Sequence, residues 1–303
     1  MVSHNIHILR GGGIGAAPST VASLVSKQQA VAFYERKTQD ILKRYGPGPR
    51  VHYHTGLVDE PPSVGASSEE LRRELVAAQE RTLEYAAEVW HAASSLSGDV
   101  LDVGCGLGGG AIFWAQKFGA NVTAVTIAPS HIRLVEGFAA QARVASRVQA
   151  VCCDALALPG EGRFDAAVAI DSSDSIPRRP LFRRLEELLR PEGHVFIFDC
   201  FLARSEYEEP FNRHWCSQIG TLEEYVVAAA DAHFSVETIE DVSLRTVHFW
   251  TRTLAHLRLE AQDVRLSPPQ RRKLEDSLLN HALLRQGLLD GGLRHLLMSF
   301  AKS

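Results

Sequence analysis

The chain has 303 residues, 45% hydrophobic and 22% charged, with a formal net charge of −4. This suits one large domain, or one domain with additions, of ordinary globular composition. The mildly acidic balance argues against the basic face that nucleic acid demands, and no apolar run approaches the ~18 residues of a membrane span.

Residues 1–25 read as a mobile tail, because Gly, Ala, Ser and Pro crowd positions 11–20. They hold no apolar core of signal-peptide length. A helix follows over 28–45, with Phe33, Ile41, Leu42 and Tyr45 as its apolar marks. Pro47 and Pro49 then break it. A second helix is expected over 67–93, capped by Ser67 or Ser68 with Glu69 and Glu70 behind. Its Leu71, Leu75, Ala78, Thr82, Ala86 and Val89 keep the 3–4 spacing of one buried face. Residues 26–95 therefore read as an N-terminal helical cap.

From Asp99 the rhythm changes. DVLDVG, ANVTAVTI, RVQAVCCD, FDAAVAID and GHVFIFDC are short, nearly continuous apolar runs separated by helical patterns, PLFRRLEELLR being the clearest. Such strands, alternating with helices, predict an α/β fold with a parallel sheet covered on both faces and right-handed crossovers. FSVETIEDVSLRTV and the terminal LRHLLMSFAKS read as further strands, and 264–290 as largely helical. The five cysteines are odd in number and lack C-x-x-C spacing. That usage predicts reduced thiols and a cytoplasmic protein.

The first strand ends in GCGLGGG, with Asp102 inside it. Bare glycines let a ligand approach the backbone closely, and a strand opening through such a loop into a helix is how α/β proteins hold nucleotide-like ligands. A dinucleotide loop fits this spelling only loosely. An acid two residues before the first glycine suits a ligand with an ammonium group and no phosphate. A nicotinamide dehydrogenase is therefore disfavoured by Asp102 and, further on, Asp154.

VLDVGCGLGG resembles the first motif of the class I S-adenosylmethionine (SAM) methyltransferases. The likeness continues in order through VTAVTIAPSHI, CCDALALP, FDAAVAIDSSDSI and LLRPEGHVFIFD, over residues ~99–200. The resemblance implies a Rossmann-like, doubly wound sheet of seven strands in the order 3-2-1-4-5-7-6, occupying 96–303, with an inserted lid at about 201–285. It implies SAM as cofactor and S-adenosylhomocysteine (SAH) as product. Gly104, Gly106 and Gly108 would cradle the methionine part, Asp102 would reach its amino group, and Asp154 with Ala155 would read the adenine. Where many members carry an acid for the ribose, this chain has Thr126. In that it is more similar to the branch of cyclopropane fatty acid synthases and isoprenoid and indole C-methyltransferases. His131 stands where that branch has a ribose-binding glutamine. RVHYHTG resembles the branch's segment before the first motif, so Tyr53 matches a tyrosine over the SAM carboxylate. His52 and His54 flank it, and without a third ligand set by spacing they predict no metal site.

The acceptor residues follow from position and from the same resemblance. Asp171 and Asp174 sit in DSSDS at the end of the fourth strand, where substrate meets cofactor in such sheets. An acid in this segment stabilises or deprotonates a cation in the similar C-methyltransferases. His214 and His248 are candidate proton acceptors. Tyr34, His54, Trp215, Tyr225, Phe249 and Trp250 are candidate substrate contacts, and their density fits a flat or isoprenoid molecule. His233 stands where the family usually has glycine, with no role to give it. The expected activity is methylation of a carbon in a hydrophobic small molecule, an isoprenoid or indole-type natural product. The alternatives are an O- or N-methyltransferase, a prenyl diphosphate C-methyltransferase using Mg²⁺ or cations such as Arg178, Arg179 and Arg204, and a SAM-binding protein without catalysis. The expected partner is the small molecule, without nucleic acid or membrane. A homo-oligomer, with the tail packed on a neighbour, is the remaining expectation.

Overall fold

In a computed structural model, residues 26–303 are described, so the expected mobile tail lies outside the described residues. Helix α1 (Lys27–Tyr45) starts at a capping box in which Ser26 and Gln29 satisfy each other's backbone amides. Helix α2 (Ser68–Val89) starts the same way, with Ser67 and Glu70. It stops short of residue 93, because His91 takes a left-handed φ of 49°.

The sheet strands are β1 (Asp99–Val103), β2 (Asn121–Thr126), β3 (Val148–Cys152), β4 (Phe164–Ile170), β5 (Leu189–Leu202), β6 (Phe234–Asp241) and β7 (Leu293–Lys302). Helices α3 (Gly109–Phe118), α4 (Pro129–Gln141) and α5 (Arg178–Leu188) connect the first five. The strand order is β3-β2-β1-β4-β5-β7-β6, as the resemblance implied. Strands β1 to β5 pair in parallel, and β7 runs antiparallel between β5 and β6. Apolar residues on both faces explain the continuous runs. Val100, Ala166, Val168, Phe196 and Phe198 belong to one core, while Leu101, Val103, Ala167, Val195 and Ile197 belong to the other. The first core also takes in Ile41 and Tyr45 of α1 and Leu75, Ala78 and Leu83 of α2.

Between β5 and β7 the chain adds α6 (Glu208–Trp215), α7 (Leu222–Ala230), α8 (Ser243–Ala261) and α9 (Pro268–Leu289) around β6. The expected strand FSVETIEDVSLRTV is half right. It ends at Asp241, whose carboxylate accepts the Ser243 amide at 2.9 Å and so turns the chain into α8. His233 adopts φ 57° after α7, a left-handed position natural to glycine, and its Nδ1 lies 3.0 Å from Glu186. All five cysteines are free thiols. Among the described residues, no helix is long and apolar enough to cross a membrane.

Candidate active site

A cavity of about 1430 Å³ opens at the C-terminal ends of β1, β2, β4 and β5 and runs beneath α1, α6, α8 and α9. Its floor on one side is the glycine loop. Gly104, Gly106 and Gly108 all have positive φ, 73°, 53° and 82°, which a side chain would strain. Gly109 is bare for another reason. A Cβ there would lie 2.5 Å from the Val51 carbonyl and 2.6 Å from His52 Nδ1, so the segment 51–55 crosses directly over the loop.

The remaining expected cofactor residues gather around this loop. Asp102 is buried on β1, and burial pushes its carboxyl up to about 7, opposed by a backbone hydrogen bond from Ala111. Thr126 closes β2, and its hydroxyl accepts the Ala128 amide at 3.2 Å. His131 Nε2 lies 3.0 Å from Thr38 Oγ1, whose proton goes to the Tyr34 carbonyl at 2.9 Å. That network assigns the imidazole hydrogen to Nε2 and leaves Nδ1 a bare acceptor, buried and without a partner. Asp154 accepts the Leu156 amide at 3.0 Å and has Lys27 Nζ at 3.6 Å. Tyr53 and Ala155 line the same side. Gly108 is the exception. It caps α3 against Val135 rather than lining the cavity.

The acids stand at the ends of β4 and β5. Asp171 has a left-handed φ of 44°, and its Oδ2 accepts the Thr55 amide at 2.6 Å. Its Oδ1 is buried without a partner. Burial, then the charge of Asp199, push the Asp171 carboxyl up to about 7. Asp174 goes well above the ordinary carboxylate range for the same reasons, with Asp171 adding to them. Asp199 is the residue that sequence reasoning missed. It is only 1% exposed, and it accepts Ser173 Oγ at 2.6 Å, the Asp174 amide at 3.0 Å and the Cys200 amide at 2.8 Å. The signal was present in FIFDC, an acid inside an apolar strand.

Aromatic rings form the opposite wall. Trp215 of α6, Trp250 of α8 and His281 of α9 meet with ring centroids 5.1–5.9 Å apart, and His214 lies 4.7 Å from Trp215. Tyr34 and Phe249 line the cavity too. Burial lowers the imidazoles along it, His54 to about 3, His214 to about 4, His281 to about 3 and His295 to about 3. His281 and His295 were not foreseen, since nothing in their local sequence marks them.

Two expected residues lie elsewhere. His248 does not line the cavity; it is half-exposed on α8, within reach of the charges of Arg252 and Arg285. Tyr225 is packed in the second core against Phe182 and Phe201, and reaches the site only through its hydroxyl, 2.9 Å from Ser173 Oγ. The suggested diphosphate arginines are engaged already. Arg178 donates to the Gln218 carbonyl, Arg179 pairs with Asp231, and Arg204 with Asp290. Among the described residues, no three His, Cys, Asp or Glu side chains are grouped to hold a metal.

Residues 100–193 match the family model described as a methyltransferase domain. This segment is a methyltransferase domain, and the chain is similar to SAM-dependent methyltransferases. Tocopherol O-methyltransferase of Arabidopsis thaliana is 29% identical over 148 residues, 48% of this chain and 42% of its own. Geranyl diphosphate 2-C-methyltransferase of Streptomyces ambofaciens is 28% identical over 208 residues, 66% of this chain and 72% of its own. This chain thus spans under half of the first relative and nearly three quarters of the second. The solved geranyl diphosphate C-methyltransferase of Streptomyces coelicolor, a complex with Mg²⁺, geranyl diphosphate and SAH, superposes with a TM-score of 0.75 at 18% identity, covering 94% of this chain and 100% of that one. The SAM methyltransferase fold therefore extends well beyond the matched segment.

The site of this methyltransferase fits SAM on its own geometry. The loop backbone is bare where a Cβ would close it, a buried carboxyl group stands at its strand end, and His131 of α4, held to α1 through Nε2, keeps its Nδ1 unpartnered.

Proposed function

We propose that this chain methylates a carbon of an isoprenoid-class acceptor, with Asp171 facing the positive charge that develops. The observation that carries this reading is the set of three carboxyl groups, Asp171, Asp174 and Asp199, at the strand ends of a cavity that Tyr34, Trp215, Phe249 and Trp250 also line. Bound SAM supplies an activated methyl group. Attack by an alkene carbon leaves a cation on the acceptor, which calls for negative potential, aromatic faces and a base for the departing proton.

The three acids divide the work by environment. Asp199 is fully hydrogen-bonded and holds Ser173 and Asp174 in place. Burial and the charges of Asp199 and Asp171 hold the Asp174 carboxyl well above the ordinary carboxylate range, which disfavours its charged form as the partner for a cation. Asp171, titrating at about 7, is both a carboxylate and a matched base under working conditions. In this reading Asp102 takes the cofactor's ammonium group, His131 Nδ1 and Thr126 serve its ribose, and Asp154 with Ala155 its adenine. Residues 26–95 act as the cap and about 201–285 as the lid, where Trp215, Trp250 and His281 shape the acceptor pocket.

A second reading, an O- or N-methyltransferase, draws on the tocopherol relative. It would make an imidazole the base. Against it, every histidine on the cavity whose titration is shifted is lowered, four of them to between about 3 and about 4, which makes them weak bases at neutral pH. The test is incubation with SAM carrying a deuterated methyl group against prenyl diphosphates, prenylated indoles, indoles and phenols. The expected result is label on a terpenoid or prenyl carbon that disappears in Asp171→Asn. Label on oxygen or nitrogen, abolished by His214→Ala and retained in Asp171→Asn, would overturn the proposal.

A further inference from the structure

Helix α1 turns Phe33, Tyr34, Lys37, Ile41, Arg44 and Tyr45 toward the cavity, the 3–4 spacing of one face. Two cations on the inward stripe of a helix contradict the usual rule that such a stripe is apolar. They are not alone. Arg36 of α1 and Arg272 and Lys273 of α9 line the same rim. Lys43 and Arg44 share Glu260, at 3.1 and 3.2 Å, and Lys273 pairs with Asp40. Lys37 is half-buried and has no carboxylate within ion-pairing distance among the described residues. Its ammonium stands 5.3 Å from the centre of the Phe33 ring. Burial lowers its titration; Asp40 opposes this, and the charges of Lys273, Arg44 and Arg36 add to it. Cations thus outnumber carboxylates around a desolvated lysine, an arrangement that an anion would relieve.

The position is informative. Tyr34 lies beside Ser175 and feels the charge of Asp174, at the acid end. Lys37 is three residues further along α1, about 4.5 Å of helix. The cavity is therefore bipolar over a short span, with acids where charge would develop and cations about one helical turn away.

We infer that Lys37, with Lys273, Arg44 and Arg36 around it, binds an anionic group of the acceptor, a phosphate ester or a carboxylate, by direct ion pairs that need no divalent metal. The inference rests on the reading of the cavity as an acceptor site, and narrows the acceptor to molecules whose anion lies close to the reacting carbon. Neutral indoles and phenols leave Lys37 unsatisfied.

The test is calorimetric titration of the SAH-bound protein, in EDTA, with inorganic pyrophosphate, inorganic phosphate and acetate. Binding of at least one is expected without metal. Lys37→Met should weaken it about tenfold or more, with SAH affinity unchanged, and Lys37→Arg should restore it. A preference for pyrophosphate or phosphate points to a phosphorylated acceptor and a preference for acetate to a carboxylic acid. If Lys37→Met folds poorly, Lys273→Met serves in its place with the same expectation. The inference is overturned if no anion binds, if binding appears only with Mg²⁺, or if neither variant weakens it. Because the readout is anion binding, it stands or falls apart from which atom of the acceptor is methylated.

Discussion

The two halves of the cavity are built differently. The cofactor half comes from one continuous stretch: β1, the glycine loop, α3 and the ends of β2 and β3 follow each other in about fifty residues. The acceptor half is assembled from α1, the ends of β4 and β5, the lid helices α6, α8 and α9, and His295 of β7, while the 51–55 crossing touches both halves, Tyr53 on the cofactor side and Thr55 against Asp171. The first half is backbone cut to fit a ligand. The second is side chains held at a cost, with buried acids, a left-handed Asp171 and a half-buried Lys37. Apart from the 51–55 crossing, what binds the cofactor is local in sequence, and what selects and activates the acceptor is not.

The sharpest way to break this division is Asp171→Asn. It keeps the shape and the Thr55 contact, so SAH binding should be unchanged while kcat falls about 10²–10⁴-fold, as for loss of a positioned base. A parallel loss of SAH affinity would join the two halves again. The converse is Gly109→Val. Its side chain would strike the Val51 carbonyl and His52, and overpacking of about 1–3 kcal/mol should weaken SAH binding roughly 5- to 150-fold. Calorimetry on the purified variant reads this directly.

With SAM saturating, acid should silence the acceptor half, while Asp102, also pushed up to about 7, weakens SAM binding over the same range. Asp171 works as the carboxylate and titrates at about 7, so kcat/KM should fall about tenfold per pH unit below that value and level off above it. The sign for stability is opposite. The folded carboxyl binds its proton more tightly than the unfolded one. Its contribution is therefore full below the unfolded pKa of about 3.9 and is lost as pH rises through about 7. At pH 8 Asp171→Asn removes a buried charge and should raise Tm by about 2–4 °C, a gain absent at pH 4. A thermal scan showing destabilisation at both pH values would mean that the carboxylate is satisfied. The smallest effect should come from His248→Ala, which leaves activity within about twofold, as expected for a surface change away from the cavity.

The same contrast explains what could be read from the sequence. The glycine loop, Asp102 and the β-α rhythm were legible because each is a local pattern. The strand order followed from resemblance and not from spacing. The start of α8 was misread, since VSLRTV alternates like a strand and only the Asp241 cap reveals the turn. Asp199 was visible as an acid in an apolar strand but had no stated reason to matter until Ser173 and Asp174 came to lie beside it. His295 reaches Thr55 across 240 residues, and Lys37 looks like any surface lysine until α1 packs over the cavity. His248 was read as a proton acceptor, but it stands off the cavity, half-exposed on α8. Contacts made between distant segments leave little local signature.

The central claim is that the methyl group reaches carbon. Its most direct measurement is a turnover with SAM carrying a ¹³C methyl group and a prenyl acceptor, followed by carbon NMR of the product. The account predicts a methyl signal coupled to a neighbouring carbon in an acceptor labelled there, absent in Asp171→Asn. A methyl signal bound to oxygen or nitrogen would contradict it.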